Sequence, residues 1–171
     1  MTRPAWPVRR LGELIRVKHG YAFSGMSADV VSPAPVVVGI GNFDYSGGFR
    51  FEKTTVKRFS GEYAREYALS PGDVLLAMTC QTADGEILGI PGRIPDDGEQ
   101  YLHNQRLGLL VPIDQSQVDV DFLFQVARWS EFNHHLFVTA SGSKILHTSP
   151  GRIEDFAFAV PPVAEQRAIA A

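Results

Sequence analysis

The chain has 171 residues, 44% of them hydrophobic and 20% charged, with a net charge of −3 and a pI of about 5.9. This suffices for one domain with a full core, since a chain of this size buries roughly 70% of its unfolded surface, and the ordinary composition excludes a disordered or fibrous protein. The single cysteine, Cys80, excludes an internal disulfide and a paired-cysteine zinc site, and the acidic balance excludes holding nucleic acid by bulk positive charge while permitting a local basic face.

The N-terminal stretch MTRPAWPVRRLGELIRV has no uninterrupted apolar h-region. No later run approaches the ~18 apolar residues of a membrane span, so neither secretion nor a membrane is expected, and the cytoplasm is the expected compartment. Within it, Trp6 to Val17 interleaves apolar residues with Arg9, Arg10, Glu13 and Arg16, which fits a short helix or an irregular strand. Lys18-His19-Gly20-Tyr21 is a glycine-punctuated connection whose cationic and aromatic groups suit a phosphate or a base, and equally a solvated turn. Val36 to Ile40 is β-branched and bounded by Gly41-Asn42, as expected of a central strand. Gly39-x-Gly41 lacks the third glycine of a nucleotide loop. Gly47-Gly48 followed by FRFEKTTVKRF predicts a turn feeding a strand, in which Lys53, Lys57 and Arg58 form the densest positive charge of the chain. Tyr63 to Tyr67 is a short link.

The stretch from Leu69 to Pro112 organises the rest. Ser70-Pro71-Gly72-Asp73 is turn chemistry, and the apolar runs Val74 to Met78, Ile87 to Ile90 and Leu107 to Val111 predict three neighbouring strands of one sheet. Polar groups collect at the strand ends, in Thr79-Cys80-Gln81-Thr82 and in His103-Asn104-Gln105-Arg106, where loops on a rigid sheet usually carry binding residues.

After Pro112, apolar residues Phe122, Val126, Trp129, Phe132 and Leu136 recur at helical spacing behind Asp119 and Asp121, which predicts one helix over about 120–137 packed on the sheet. His134-His135 lacks the further ligands of a metal site. A polar loop with Ser143 and Lys144 leads to a last strand, Phe156 to Val160. Pro161-Pro162 then opens a new helix, about ten residues or roughly 15 Å long, too short to be stable unless it packs on something. The expected fold is α+β: an antiparallel or mixed twisted sheet with that helix on one face, because the strands are separated by turns rather than crossover helices.

The order Leu11-Gly-Glu-Leu14, Gly39-Ile-Gly-Asn42, Pro71-Gly-Asp-Val-Leu75, Asn104-Gln-Arg106, Ser141-Gly-Ser143 and the terminal PPxxEQxxIA resembles the target recognition domain of type I restriction-modification specificity subunits, over nearly the whole chain. The resemblance implies a recognition domain over 1–160 and, from 161 to 171, the start of a long connecting helix that pairs with a second recognition half or a second copy. It further implies binding of double-stranded DNA, partnership with methyltransferase and restriction subunits, no cofactor and no chemistry of its own. No methyltransferase, Walker or nucleophile-elbow motif is present either. Cys80 departs from the family, where glycine is common.

On this reading Gln81, Asn104 and Gln105 pair with adenine, Arg93 and Arg106 with guanine, and Thr79 or Thr82 touches thymine methyls. Lys18, Lys53, Lys57, Arg58 and Lys144 hold phosphates, and Tyr21, Asn42 and Ser143 complete the expected contact set. The plain alternative for Asn104-Gln105-Arg106 is a turn whose polar groups satisfy the backbone, with Arg106 in a structural salt bridge. The alternative for the whole domain is a protein-interaction scaffold that no longer reads DNA.

Overall fold

The computed structural model describes residues 5–171; Met1 to Pro4, the start of the N-terminal stretch read above, lie outside them. Trp6 to Val17 resolves into an irregular strand: β1 (Val8–Arg10), a 3-10 turn (Leu11–Glu13) and the start of β2 (Ile15–His19). The turn buries Leu11 and Leu14 while Arg9, Arg10 and Arg16 line the outside, so the interleaved pattern is that of a strand with a corner in it. β3 (Val36–Val38) is buried at every residue.

Next come β4 (Ala68–Leu69), β5 (Val74–Ala77), β6 (Thr79–Cys80), β7 (Pro91–Arg93), β8 (Tyr101–His103) and β9 (Leu107–Pro112). The last third holds α1 (Val120–Ala127), α2 (Ser130–Thr139), β10 (Leu146–His147), α3 (Pro150–Glu154), β11 (Ala157–Ala159) and α4 (Val163–Ala170).

The main sheet has the order β2-β9-β5-β7 and is antiparallel throughout, with Leu75 facing Leu109 on one side and Gly92 on the other. A second, mixed sheet runs β3-β8-β4, β3 parallel to β8 and β4 antiparallel to it. Two ribbons complete the pairing: β1 with β11 joins the two ends of the fold to each other, and β6 with β10 joins its last third to the segment after β5. The fold is α+β, and of the three apolar runs of the 69–112 stretch the first and third, as β5 and β9, are neighbouring strands of the main sheet. Its core is Leu75, Leu76, Leu88, Leu107, Phe132 and Leu136, all at most 1% exposed, each contributing about 1.5–3 kcal/mol by burial.

Four expectations are corrected. Ile87 to Ile90 is a turn, and the strand begins where that run was expected to stop, at Pro91. Gly85 and Gly89 take positive φ, while the Asn133 amide donates to the Gly85 and Leu88 carbonyls at 3.2 and 2.9 Å, so local turn geometry overrides the apolar run even though Ile87 and Leu88 stay buried. The stretch after Gly47-Gly48 forms only isolated bridges; Phe49 seats on Gly92, where a Cβ would come within 2.4 Å of the ring, and Glu52 to Thr55 closes a hydrogen-bonded turn. Ile40 leaves the strand for a 3-10 turn, Ile40–Asn42. The single helix over 120–137 is two, because Trp129 adopts extended backbone (φ −77°, ψ 134°) between Arg128 and Ser130. That corner turns Phe132 against Phe156, with ring centroids 5.1 Å apart, and leaves Trp129 48% exposed.

α1 is capped by Asp119, whose carboxylate accepts the Asp121 and Phe122 N–H groups at 3.0 and 3.1 Å. α4 is bolted to the same place. Gln166 is fully buried: its Oε1 accepts the Asp119 N–H at 2.8 Å and its Nε2 donates to the Gln117 and Pro161 carbonyls at 3.1 and 2.9 Å. No helix among the described residues is long and apolar enough to cross a membrane.

Candidate nucleic-acid interface

The ends of β2, β3, β6 and β8 converge on one open cleft of about 660 Å³. The turn from β8 into β9 forms one wall. Gly20 brings the chain leaving β2 against this turn, since a Cβ there would lie 2.2 Å from the Asn104 carbonyl oxygen. Tyr21 then clamps the turn from both sides, its N–H donating to the His103 carbonyl at 2.9 Å and its own carbonyl accepting the Gln105 N–H at 3.0 Å.

Inside the turn, Asn104 is 6% exposed and its side-chain oxygen accepts the Arg106 N–H at 3.1 Å. His103 beneath it is fully buried. Burial pushes its imidazole down to about 4, so the ring is neutral. Its Nε2–H donates to the Leu107 carbonyl at 2.8 Å, and Nδ1 has no partner among the described residues. The turn is therefore rigid, and its two exposed side chains are Gln105 and Arg106. Neither has a side-chain partner among the described residues, so the salt-bridge alternative for Arg106 does not hold.

Opposite this wall, Asn42 is 1% exposed. It accepts the Gly39 N–H at 2.8 Å and donates to the carbonyl and hydroxyl of Thr55, each at 3.3 Å, which fixes the segment carrying Lys53, Thr54 and Lys57. Both lysines are exposed and have no ion pair among the described residues. Gln81 enters from the end of β6, where Thr79, 4% exposed, meets His147 Nδ1 through its hydroxyl at 3.1 Å. Lys57, Gln81, Gln105 and Arg106 thus line one cleft, and no carboxylate lines it among the described residues. In a chain of net charge −3 that is a local excess of cations and amides.

The other expected contact residues are placed differently. Arg58 is tied by both guanidinium nitrogens to Glu99, at 2.7 and 3.1 Å, and to the Ala34 carbonyl at 2.6 Å; the same ion pair holds the Glu99 carboxyl below its usual range. Arg93 pairs with Asp121 and lies over the Phe124 ring, 5.7 Å from its centroid. Lys18 donates to the Glu66 carbonyl at 2.7 Å and sits over Tyr67. Tyr21 is 52% exposed beside Phe23 and Tyr67. The Thr82 hydroxyl donates to Asp84 and touches Cys80 Sγ at 3.1 Å. Ser143 and Lys144 lie exposed in the loop between Ser141 and His147, which pair with each other. Sequence reasoning missed Thr54 and Ser24, exposed small polar residues of the cleft; nothing in their local pattern distinguishes them from any loop.

The overall fold is shared with solved chains of type I restriction-modification systems. Similar solved chains are the type I restriction-modification S subunit from M. genitalium (14% identity, TM-score 0.62, covering 99% of this chain and 38% of that one) and the HsdS subunit from Thermoanaerobacter tengcongensis (18%, 0.60, 99% and 37%). A third comes from a structure of type I R-M complex assembly and conformational transition (16%, 0.66, 99% and 37%). This chain thus spans less than half the length of those it matches, and no curated protein is significantly similar to it. The model of the type I restriction modification DNA specificity domain matches residues 4–171, and the chain belongs to that family.

Proposed function

We propose that this chain reads double-stranded DNA by sequence as the specificity component of a type I restriction-modification system, directing methyltransferase and restriction subunits to their site. The observation that carries the reading is the set Lys57, Gln81, Gln105 and Arg106, which among the described residues has no side-chain partner and shares its cleft with no carboxylate, on a chain of net charge −3. Arg106 presents a planar fork suited to guanine O6 and N7, and Gln81 and Gln105 present amides suited to adenine N6 and N7. Lys53, Lys57 and Lys144 hold phosphates and set affinity without setting sequence. Asn42, Asn104 and Thr79 act one step back, by fixing the loops that carry these groups. Arg58, Arg93 and Lys18 stabilise the fold around them.

The domain spans 1–160, and the segment from 161 begins the helix through which a methyltransferase subunit, a second recognition half or a second copy associates, with Ile169, 48% exposed, on the available face. The test is selection of duplexes from a random pool by the chain assembled with its methyltransferase subunits, followed by a salt titration on the recovered sequence. A steep linear fall of log affinity with log salt supports DNA reading. A shallow dependence and no enriched sequence would favour a protein-interaction scaffold instead.

A further inference from the structure

Of the sixteen glycines, only Gly39, Gly41 and Gly151 have neither a positive φ nor a neighbour within 3.4 Å of where a Cβ would stand. At Gly41 such a Cβ would meet nothing within 4 Å; at Gly39 it would meet only the Asn42 side-chain oxygen, at 3.8 Å. Gly39 has ordinary extended backbone (φ −128°, ψ 175°), and Gly41 lies in the 3-10 turn that follows. The fold therefore does not require glycine at either position, and a larger residue would restrict the unfolded chain and stabilise the protein.

Two of these three glycines, flanking Ile40, line the same cleft as Gln105 and Arg106. We infer that Gly39 and Gly41 leave the main chain of the cleft floor bare so that the edge of a DNA base pair comes into van der Waals contact with it. Gly41, which has open space where a side chain would go, is the residue whose replacement shapes what the cleft admits. This rests on the DNA reading proposed above and adds a steric element to it: the polar groups on the walls pair with bases only if the floor lets the duplex settle to their depth.

The test compares Gly41→Ala, Gly41→Leu and the control Gly151→Leu, each in the chain assembled with its methyltransferase subunits. The probes are the duplexes recovered from a random pool by the unsubstituted protein. Gly151 shares the open surroundings of Gly41 but lies in α3, outside the cleft. The expected result is an unchanged or raised Tm for both Gly41 variants, weaker binding for Gly41→Ala, a loss of at least about tenfold for Gly41→Leu, and wild-type binding for Gly151→Leu. Wild-type affinity in Gly41→Leu would overturn the inference while leaving the DNA reading intact. Tm and affinity falling together in Gly41→Ala would overturn it as well, by showing that the fold needs the glycine. Failure of the unsubstituted protein to recover any duplex would overturn the DNA reading, and this inference with it.

Discussion

Gln166 decides whether α4 belongs to the domain or merely follows it. Replacing it by leucine keeps most of the volume but leaves the Asp119 N–H and the Gln117 and Pro161 carbonyls without their partner in a site of zero exposure. Three neutral hydrogen bonds at a net ~1 kcal/mol each give about 3 kcal/mol, and the unmet desolvation of the orphaned groups raises this to about 3–5 kcal/mol. For a domain of this size that is a fall in Tm on the order of 10 °C. Asp119 also caps α1 and pairs with Arg167 at 3.4 Å, so the loss spreads to the start of α1. Ile169→Ala, three residues on and half exposed, is expected to change stability by less than about 0.5 kcal/mol while weakening association with the methyltransferase subunit. Urea melts of both variants, beside co-purification with that subunit, make the comparison. A loss below about 1 kcal/mol for Gln166→Leu, or equal destabilisation by Ile169→Ala, would refute the reasoning.

Stability is expected to fall with acid before the carboxylates titrate. His103 is held down to about 4 against 6.5 when unfolded, so below pH 6.5 the unfolded chain takes up a proton that the folded chain refuses, and about 2 kcal/mol is lost by pH 5; chemical denaturation of wild type and His103→Leu between pH 7.5 and 5 should show the slope only in the former. Arg58→Lys keeps the charge but not the two-nitrogen fork on Glu99, and should lower stability by about 1 kcal/mol while leaving the salt slope of DNA binding unchanged, read from melts and salt titrations. Lys57→Ala should weaken all duplexes alike and reduce that slope by about one unit, with base preference intact.

Much of this arrangement was legible in the sequence, and the failures have physical causes. Turn residues at 70–73 and the apolar runs located β5 and β9 because local chemistry and tertiary packing agree there. Ile87 to Ile90 misled because a short buried run looks the same in a strand and in a turn covered by a helix; Asn133, over forty residues away, decides it. The helix break at Trp129 is invisible to periodicity, since the apolar spacing continues through it and the ring that Trp129 and Phe132 pack against, Phe156, is more than twenty residues away in sequence. The cleft was legible in part. Gln81, Gln105 and Arg106 stood out as polar residues at strand ends, whereas Arg58 and Arg93 carry the same side chain and have carboxylate partners supplied by Glu99 and Asp121, 41 and 28 residues on. A sequence shows a cation; only the fold shows whether it is already paired.

Base reading is proposed to rest most on Arg106, whose guanidinium is exposed and without a partner among the described residues, so that its removal leaves the fold untouched. The measurement is the binding of Arg106→Ala to the selected duplex and to single-mismatch duplexes, with Tm recorded alongside and Arg93→Ala as the control whose guanidinium is held by Asp121. Arg106→Ala is expected to keep its Tm and to lose roughly 1–3 kcal/mol of discrimination at one base pair, and Arg93→Ala to lose none. Discrimination that survives in Arg106→Ala, at an unchanged Tm, would contradict base reading by Arg106.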